Sequence, residues 1–317
     1  MHRYVIKRLL LLIPVIIGVS LFIFVSLDLA AGDVTDTLGG DDMTEEQLHA
    51  LRERLGLNDP LLVRYAKYMW GLLHGDLGNS YITGKPVMEI YLQKLPATMK
   101  LATATCIVAV ALSLPLGIFA AKRHGGLADN LAMIGGLLGL SIPNFWLGLM
   151  LIIVFSLYLG WLPSQGDHHG ILSLILPAIT VGTGHMATIT RTTRSSMLDV
   201  IRSDYLRTAR AKGVPEKQVI NKHALKNALI PIITVVGAQY AASLGGATLT
   251  ENVFSWPGLG RQLIDSLNSR DTQVVTGVVI MKTIMISVIL LLVDILYAFV
   301  DPRIKSQYAR GGKKKRG

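Results

Sequence analysis

The chain has 317 residues, 51% of them apolar and only 16% charged, with a formal net charge of +10. Soluble proteins carry about 25% charged residues. Here the charges are clustered, and several stretches between clusters reach the roughly 20 apolar residues that cross a ~30 Å hydrocarbon core, which excludes an ordinary soluble fold. The basic residues lack the aromatic interleaving of a nucleic-acid surface, so no nucleic-acid partner is expected.

A basic start (Arg3, Lys7, Arg8) precedes an uncharged run over 9–27. It is longer than a secretory signal core and lacks a good small-x-small cleavage site, so it reads as an uncleaved first span with its N-terminus inside. Residues 31–95 are polar, with ten acids against six bases, and read as an outer segment. There Thr44-x-x-Gln47 forms a capping box opening a helix that Gly56 closes. Asp59-Pro60 reads as an N-cap followed by proline at the first helical position, with Leu61, Leu62, Tyr65, Met69 and Leu72 on one face of the next helix. A structural cap, a surface-lying helix and a docking segment are all compatible with this stretch.

Pro96 is expected to begin the second span, charge-free over 101–121, and the lone Cys106 inside it reads as a small core residue. Lys122-Arg123-His124 turns back inside. The third span, 131–162, is interrupted by Ser141-Ile142-Pro143-Asn144. An interior proline frees a carbonyl that a neighbouring Ser or Asn can occupy, so Ser141, Pro143 and Asn144 are pathway-lining candidates, a packing kink being the plainer reading. Asp167-His168-His169 in the following outer loop are ligand residue types without a coordinating spacing, and no metal site is expected. The fourth span covers 171–189. Gly182-Thr183-Gly184 has no preceding strand and is not a dinucleotide loop.

Residues 191–231 form a polar, basic loop. Ser203 can cap a short helix carrying Tyr205, Leu206 and Ala209, Gly213 fits a left-handed terminator, and Pro215 suits the start of a second helix containing Val219, Ile220 and Ala224. The residues alone leave open whether this is a solvated loop that fixes topology or a contact for another protein.

The fifth span, 228–250, is rich in small residues that permit close helix approach, with Gln239 as a polar exception and Glu251 at its end, both pathway candidates. Phe254-Ser255-Trp256-Pro257-Gly258-Leu259-Gly260 forms a tight turn whose Trp suits the headgroup level, and 259–267 suits a short surface helix. The sixth span, 274–300, holds Lys282, which can snorkel at the outer end, and Asp294, expected to pair with a basic residue such as Arg191 or Arg194. With six spans and both ends inside, most of the 31 Lys and Arg fall on the inner face, which is the positive-inside asymmetry. The organisation is therefore a first span with its tail (1–30), an outer helical segment (31–95) and a five-helix core (96–317) carrying the inner loop.

The runs Asp204-Tyr205-Leu206-Arg207-Thr208-Ala209-Arg210-Ala211-Lys212-Gly213 and His223-Ala224-Leu225-Lys226-Asn227-Ala228-Leu229-Ile230-Pro231 resemble the inner-loop signature of peptide and nickel ABC importer permeases. Arg54-Leu55-Gly56-Leu57, Gly75-Asp76-Leu77-Gly78, the 254–260 turn and Leu292-Val293-Asp294 extend the resemblance over nearly the whole chain. It implies an all-α type I importer permease in a bacterial or archaeal cytoplasmic membrane, working with a second permease, two ATP-binding subunits, an extracytoplasmic binding protein and membrane lipid. It further implies that Asp204, Tyr205, Arg207, Thr208, Ala209, Ala211, Lys212 and Gly213 form the helix that couples to the ATPase. Phe254, Trp256, Pro257, Gly258 and Gly260 would belong to the binding-protein docking face or outer gate.

The family's Glu-Ala-Ala is Arg207-Thr208-Ala209 here, so no role for that Glu carries over. The sequence has no Gly-x-x-x-x-Gly-Lys-[Ser/Thr], so ATP and Mg belong to partner subunits, no cofactor is expected on this chain, and the chain is not expected to be an enzyme. Di- or oligopeptides are the implied cargo, with nickel or a metal chelate the alternative. From a different class, an ion-coupled carrier using Asp294 or Lys282 would show two repeated halves, and none is seen.

Overall fold

The computed structural model describes residues 2–30, 32–39 and 43–300. The basic tail over 301–317, expected to meet anionic lipid, lies outside the described residues. The elements are helical throughout: α1 (His2–Leu29), α2 (Val34–Gly39), α3 (Glu45–Arg54), α4 (Leu61–Leu73), α5 (Val87–Lys122), α6 (Leu127–Ser141), α7 (Asn144–Leu151) with a π-helical extension (Ile152–Tyr158), α8 (Ile171–Ile201), α9 (Asp204–Ala211), α10 (Glu216–Gln218) running through a π-helical turn (Val219–Ala224) into α11 (Leu225–Gly246), then α12 (Thr248–Val253), α13 (Leu259–Asn268) and α14 (Thr272–Val300).

Among the described residues, five helices are long and apolar enough to span a membrane: α1, α5, α8, the α10–α11 run and α14. Helix α6 and the run of α7 with its π-helical extension pass the same test only as a pair, bent by 97°, the form of a broken span or a re-entrant loop. The break follows from proline sterics. Pro143 bars Ile142 from the helical region, and Ile142 is extended at φ −84, ψ 123.

Two expectations shift. The second span does not begin at Pro96, because α5 starts at Val87 and carries both Pro96 and Pro115 in its interior. At 1.5 Å per residue its 36 residues reach about 54 Å, well beyond the ~30 Å hydrocarbon core, so its first turns stand outside the membrane. Likewise α8 does not end at 189 but continues to Ile201, making Arg191 and Arg194 part of a helix rather than of a loop.

The bundle is built on α5 against α8, with α11 packed on α8 and α14. A side-chain carbon at Gly237 would come within 2.5 Å of Val293, so the small residues of α11 do permit the expected close approach. On the inner side Arg194 on α8 clamps the buried Asp129 at the start of α6, at 2.5 and 2.6 Å. Asp294 makes the expected pairing with a basic residue, but its partner is Arg8 on α1, at 2.6 Å, and not Arg191 or Arg194.

In the outer segment the Thr44–Gln47 capping box forms as expected, and Gly56 follows α3 at φ +69. Asp59 does not cap α4. Pro60 occupies the cap position, and Asp59 accepts from Lys67 Nζ at 2.6 Å instead. On α4, Tyr65 meets Ser20 of α1 at 3.0 Å, Tyr68 is buried and Leu62 is exposed. Asp271 holds this segment onto the top of α14, accepting from Ser80 Oγ at 2.5 Å and from the Tyr81 amide at 3.2 Å.

Candidate functional site

At the inner end, α9 is a two-turn helix with unlike faces. Asp204, Tyr205, Arg207, Thr208, Ala211, Lys212 and Gly213 are exposed and Ala209 is half-buried. Leu206 is fully buried, in a cluster with Met197 of α8, Ala121 of α5, Val219, Ile220 and Ala224 of the π-turn, and Ala228 and Ile232 of α11. Asn227 Nδ2 donates to the Tyr205 hydroxyl at 2.6 Å, tying α9 to α11. Gly213 takes φ +78, as the left-handed terminator requires. Two other local expectations are adjusted. The Ser203 side chain donates back to Val200 O at 2.5 Å instead of capping α9, and Pro215 sits at the cap of α10, one residue before the helix. Arg210 crosses the Gly213 bend to Glu216 at 2.9 Å, and that carboxylate raises the pKa of the guanidinium.

At the outer end, α12, the 254–258 turn and α13 make a hairpin closed around Glu251. The Glu251 carboxylate is buried and accepts from Thr98 Oγ1 at 2.8 Å, the Gly260 amide at 2.6 Å and the Arg261 amide at 3.2 Å. Thr98 Oγ1 in turn accepts from the Leu259 amide at 2.8 Å. Carbons added at Gly258 and Gly260 would lie 2.4 Å from Glu251 Oε2 and 2.5 Å from Thr248 Cα. These glycines are therefore needed for close approach.

Trp256 is 2% exposed, with its Nε1 donating to Ala97 O on α5 at 2.8 Å, so it is not at the headgroup level. Phe254 is buried with it, and its carbonyl accepts from the Gly166 amide at 2.9 Å. In this conformation neither aromatic side chain is available to a docking protein; they shape the turn, whose Pro257 is half-buried. Glu251 leaves the set of pathway candidates for the same reason. Lys282 is also enclosed, 7% exposed with Nζ donating to Thr248 Oγ1 at 3.2 Å, and does not snorkel.

Between the two ends, polar side chains converge from three helices. His185 Nε2 on α8 lies 2.9 Å from Ser243 Oγ on α11, and Ser243 also donates to Gln239 O at 3.0 Å. Asn144, at the start of α7, packs on α8, where a carbon at Gly184 would come within 3.3 Å of its Oδ1. Asn144 thus meets α8 at Gly184, next in sequence to His185, and Gln239 lies one turn before Ser243 on α11. Ser141 and Pro143 are exposed at the bend. No group of three or more His, Cys, Asp or Glu suited to a metal ion occurs among the described residues.

The family model for the binding-protein-dependent transport system inner membrane component matches residues 113–306, and the model for the N-terminal part of such membrane components matches residues 1–102. The chain belongs to this permease family. It is 44% identical to the dipeptide transport system permease protein DppB of Alkalihalophilus pseudofirmus, over 96% of this chain and 100% of that protein. It is 40% identical to the oligopeptide transport system permease protein AppB of Bacillus subtilis, over 96% and 100%. The glutathione transport system permease protein GsiC of Salmonella paratyphi A is 40% identical over 96% and 99%. An inward-facing structure of the MetNI methionine ABC transporter matches the fold with a TM-score of 0.58 at 18% identity, over 68% of this chain and 97% of that one.

This permease is accordingly a multi-pass transport subunit of a binding-protein-dependent ABC importer, and not an enzyme in its own right. Leu206 was placed from sequence among the apolar residues of the short helix but not as its anchor, and Thr98 and Ala97 as the seat of the outer hairpin were not singled out. Leu206 carried a usable signal, being the strongly apolar residue in a polar octet. Thr98 and Ala97 carried none, because their partners lie about 150–160 residues away.

Proposed function

We propose that this permease imports di- or oligopeptides, and that ATP hydrolysis on two partner subunits drives it. The observation that carries the cargo is the 40–44% identity, along nearly the entire chain, to permeases named for dipeptide and oligopeptide transport. In this reading the exposed face of α9 seats in the ATPase, a second permease completes the pathway, and a loaded binding protein delivers cargo to the outer face. MgATP binds the partners. Closure of the ATPases moves α9, and the apolar cluster around Leu206 passes that movement to α5, α8 and α11 together. Interiors packed at crystal-like density transmit such a displacement instead of absorbing it. Polar side chains at His185, Ser243, Gln239 and Asn144 supply hydrogen-bonding groups at membrane depth, as a path for polar cargo requires.

The test is uptake of labelled dialanine in cells whose own peptide uptake has been removed, with this permease expressed beside its partners. Saturable uptake that stops on ATP depletion is expected. Dialanine transport by the reconstituted chain alone, without ATP, would assign an ion-coupled carrier instead. Uptake of nickel in place of peptide would overturn the cargo.

A further inference from the structure

Helix α4 meets α1 within the depth of the membrane. The uncharged run of α1 over 9–27 is about 28 Å long at 1.5 Å per residue, close to the thickness of the hydrocarbon core. Arg8 and Asp28 close its two ends, and Ile17 and Ser20 fall near its middle. Both are met by α4. The Tyr65 hydroxyl donates to Ile17 O at 3.2 Å and lies 3.0 Å from Ser20 Oγ, and Met69 Sδ lies 3.6 Å from the same Ser20 oxygen. Nearer the outer end, the Phe24 ring meets those of Tyr65 and Tyr68, each at 5.5 Å between centroids, and Arg64 pairs with Asp28. A tyrosine side chain reaches little more than one helical turn, about 5.4 Å. The backbone of Tyr65 therefore sits below the level of Asp28, in the outer half of the bilayer.

At 3.6 residues per turn the side chains of α4 divide into three faces. Tyr65, Tyr68 and Met69 turn to α1. Arg64, Lys67 and Gly71 border a cavity of about 780 Å³ shared with the end of α1 and the top of α14, and both cations are paired there, with Asp28 and Asp59. The third face is Leu62, Val63, Ala66, Trp70 and Leu73. It is apolar and exposed, Trp70 by 67% and Leu73 by 77%, and none of the five borders the cavity.

A helix with one charged and one apolar face lies in the membrane interface with the apolar face sunk into the headgroup and acyl boundary. A tryptophan on that face suits the same level. The helix beside it belongs there too, since α1 exposes Phe22 and Leu29 along its outer half, and the third face of α4 continues that surface. We propose that this face of α4 is a lipid-contact surface, seated in the acyl chains just beneath the outer headgroups, with outer-leaflet phospholipid as its partner. It is independent of the cargo. It also withdraws α4 from the surface open to a binding protein, which is received elsewhere on the outer side.

The experiment is collision accessibility by electron paramagnetic resonance on the complete importer in phosphatidylcholine nanodiscs, with and without the binding protein. A Cys106→Ser background carries one nitroxide at a time, at Ala66→Cys, Trp70→Cys or Leu73→Cys. Phe22→Cys on α1 is the lipid reference and Lys67→Cys the aqueous one. All five positions are exposed, so the label displaces no packing. Molecular oxygen concentrates in hydrocarbon and a nickel chelate in water. At 66, 70 and 73 the oxygen collision rate is expected to exceed the nickel rate severalfold, as at 22, with the reverse at 67. Nickel exceeding oxygen at 66, 70 and 73 would put the face in water and overturn the proposal. Protection from both reagents would overturn it in favour of a protein partner, and protection only with the binding protein added would make the face its dock. A second measurement needs no label. Leu73→Glu, which sends a carboxylate into hydrocarbon, is expected to lower the thermal midpoint in nanodiscs, whereas Leu73→Met leaves it unchanged; equal midpoints for the two would also overturn the proposal.

Discussion

Two kinds of glycine act at the residue scale, and substitutions separate them. Gly213 has open space around it but a φ of +78. Only the backbone objects to a side chain, at roughly 1–3 kcal/mol for a β-branched residue. Gly213→Val is therefore expected to lower peptide uptake and ATPase co-purification, whereas Gly213→Asn, which tolerates the left-handed region, retains both. Normal values for the Val variant would remove the elbow from the coupling scheme. Gly260 is the opposite case, since a methyl there would strike the backbone of Thr248. Gly260→Ala is expected to cost about 1–3 kcal/mol, read as a lower unfolding midpoint in detergent. Glu251 and Lys282 form the third residue-scale test. Both side chains are enclosed beside Thr248: Lys282 Nζ donates to its Oγ1, and a carbon at Gly260 would meet Thr248 and Glu251 Oε2 together. Glu251→Gln should destabilise by about 1–3 kcal/mol, and adding Lys282→Met should restore part of that loss in a double-mutant cycle. Strict additivity would show the two to be uncoupled.

At the scale of the element, α9 depends on one side chain. Leu206→Ala removes a fully buried residue from the cluster beneath α9, at about 2–5 kcal/mol of local packing. The residues proposed to face the ATPase are untouched, so co-purification is expected to persist while ATP hydrolysis loses its dependence on peptide and binding protein. Retained coupling would mean that α9 is held by its partner alone. The elements also mark what was legible from sequence. Gly213, the Thr44 box and the break at Pro143 were readable because each is a local rule about one backbone conformation. The lengths of α5 and α8 were not. Glu89, Lys94 and Arg191 ended the hydropathy signal, yet the helices run past them, because hydropathy reports the thickness of the bilayer and not the length of a helix. The burial of Trp256 against Ala97 was hidden for a different reason: a tryptophan near a span end suits the headgroups and a buried seat equally well, and only the distant chain decides between them.

For the whole molecule, α1 is the loosest member. It packs on α14 and α4, and very little of its membrane-crossing stretch is buried. Its ion pair with Asp294, at the inner end of α14, is partly exposed. Asp294→Asn is expected to loosen α1 from α14, read as a lower unfolding midpoint in detergent, and the exchange Arg8→Asp with Asp294→Arg to recover it; an unaltered midpoint in the single variant would show that the pair does not hold α1. The two faces of α9 have a consequence for how such machines diversify. The residue that grips the body of the transporter and the exposed residues proposed to meet the ATPase occupy opposite sides of eight positions. Choice of motor can thus drift like a lock's outer wards while the hinge behind it stays fixed. Importers that share or exchange ATPases need rewrite only the outward letters of this one short helix.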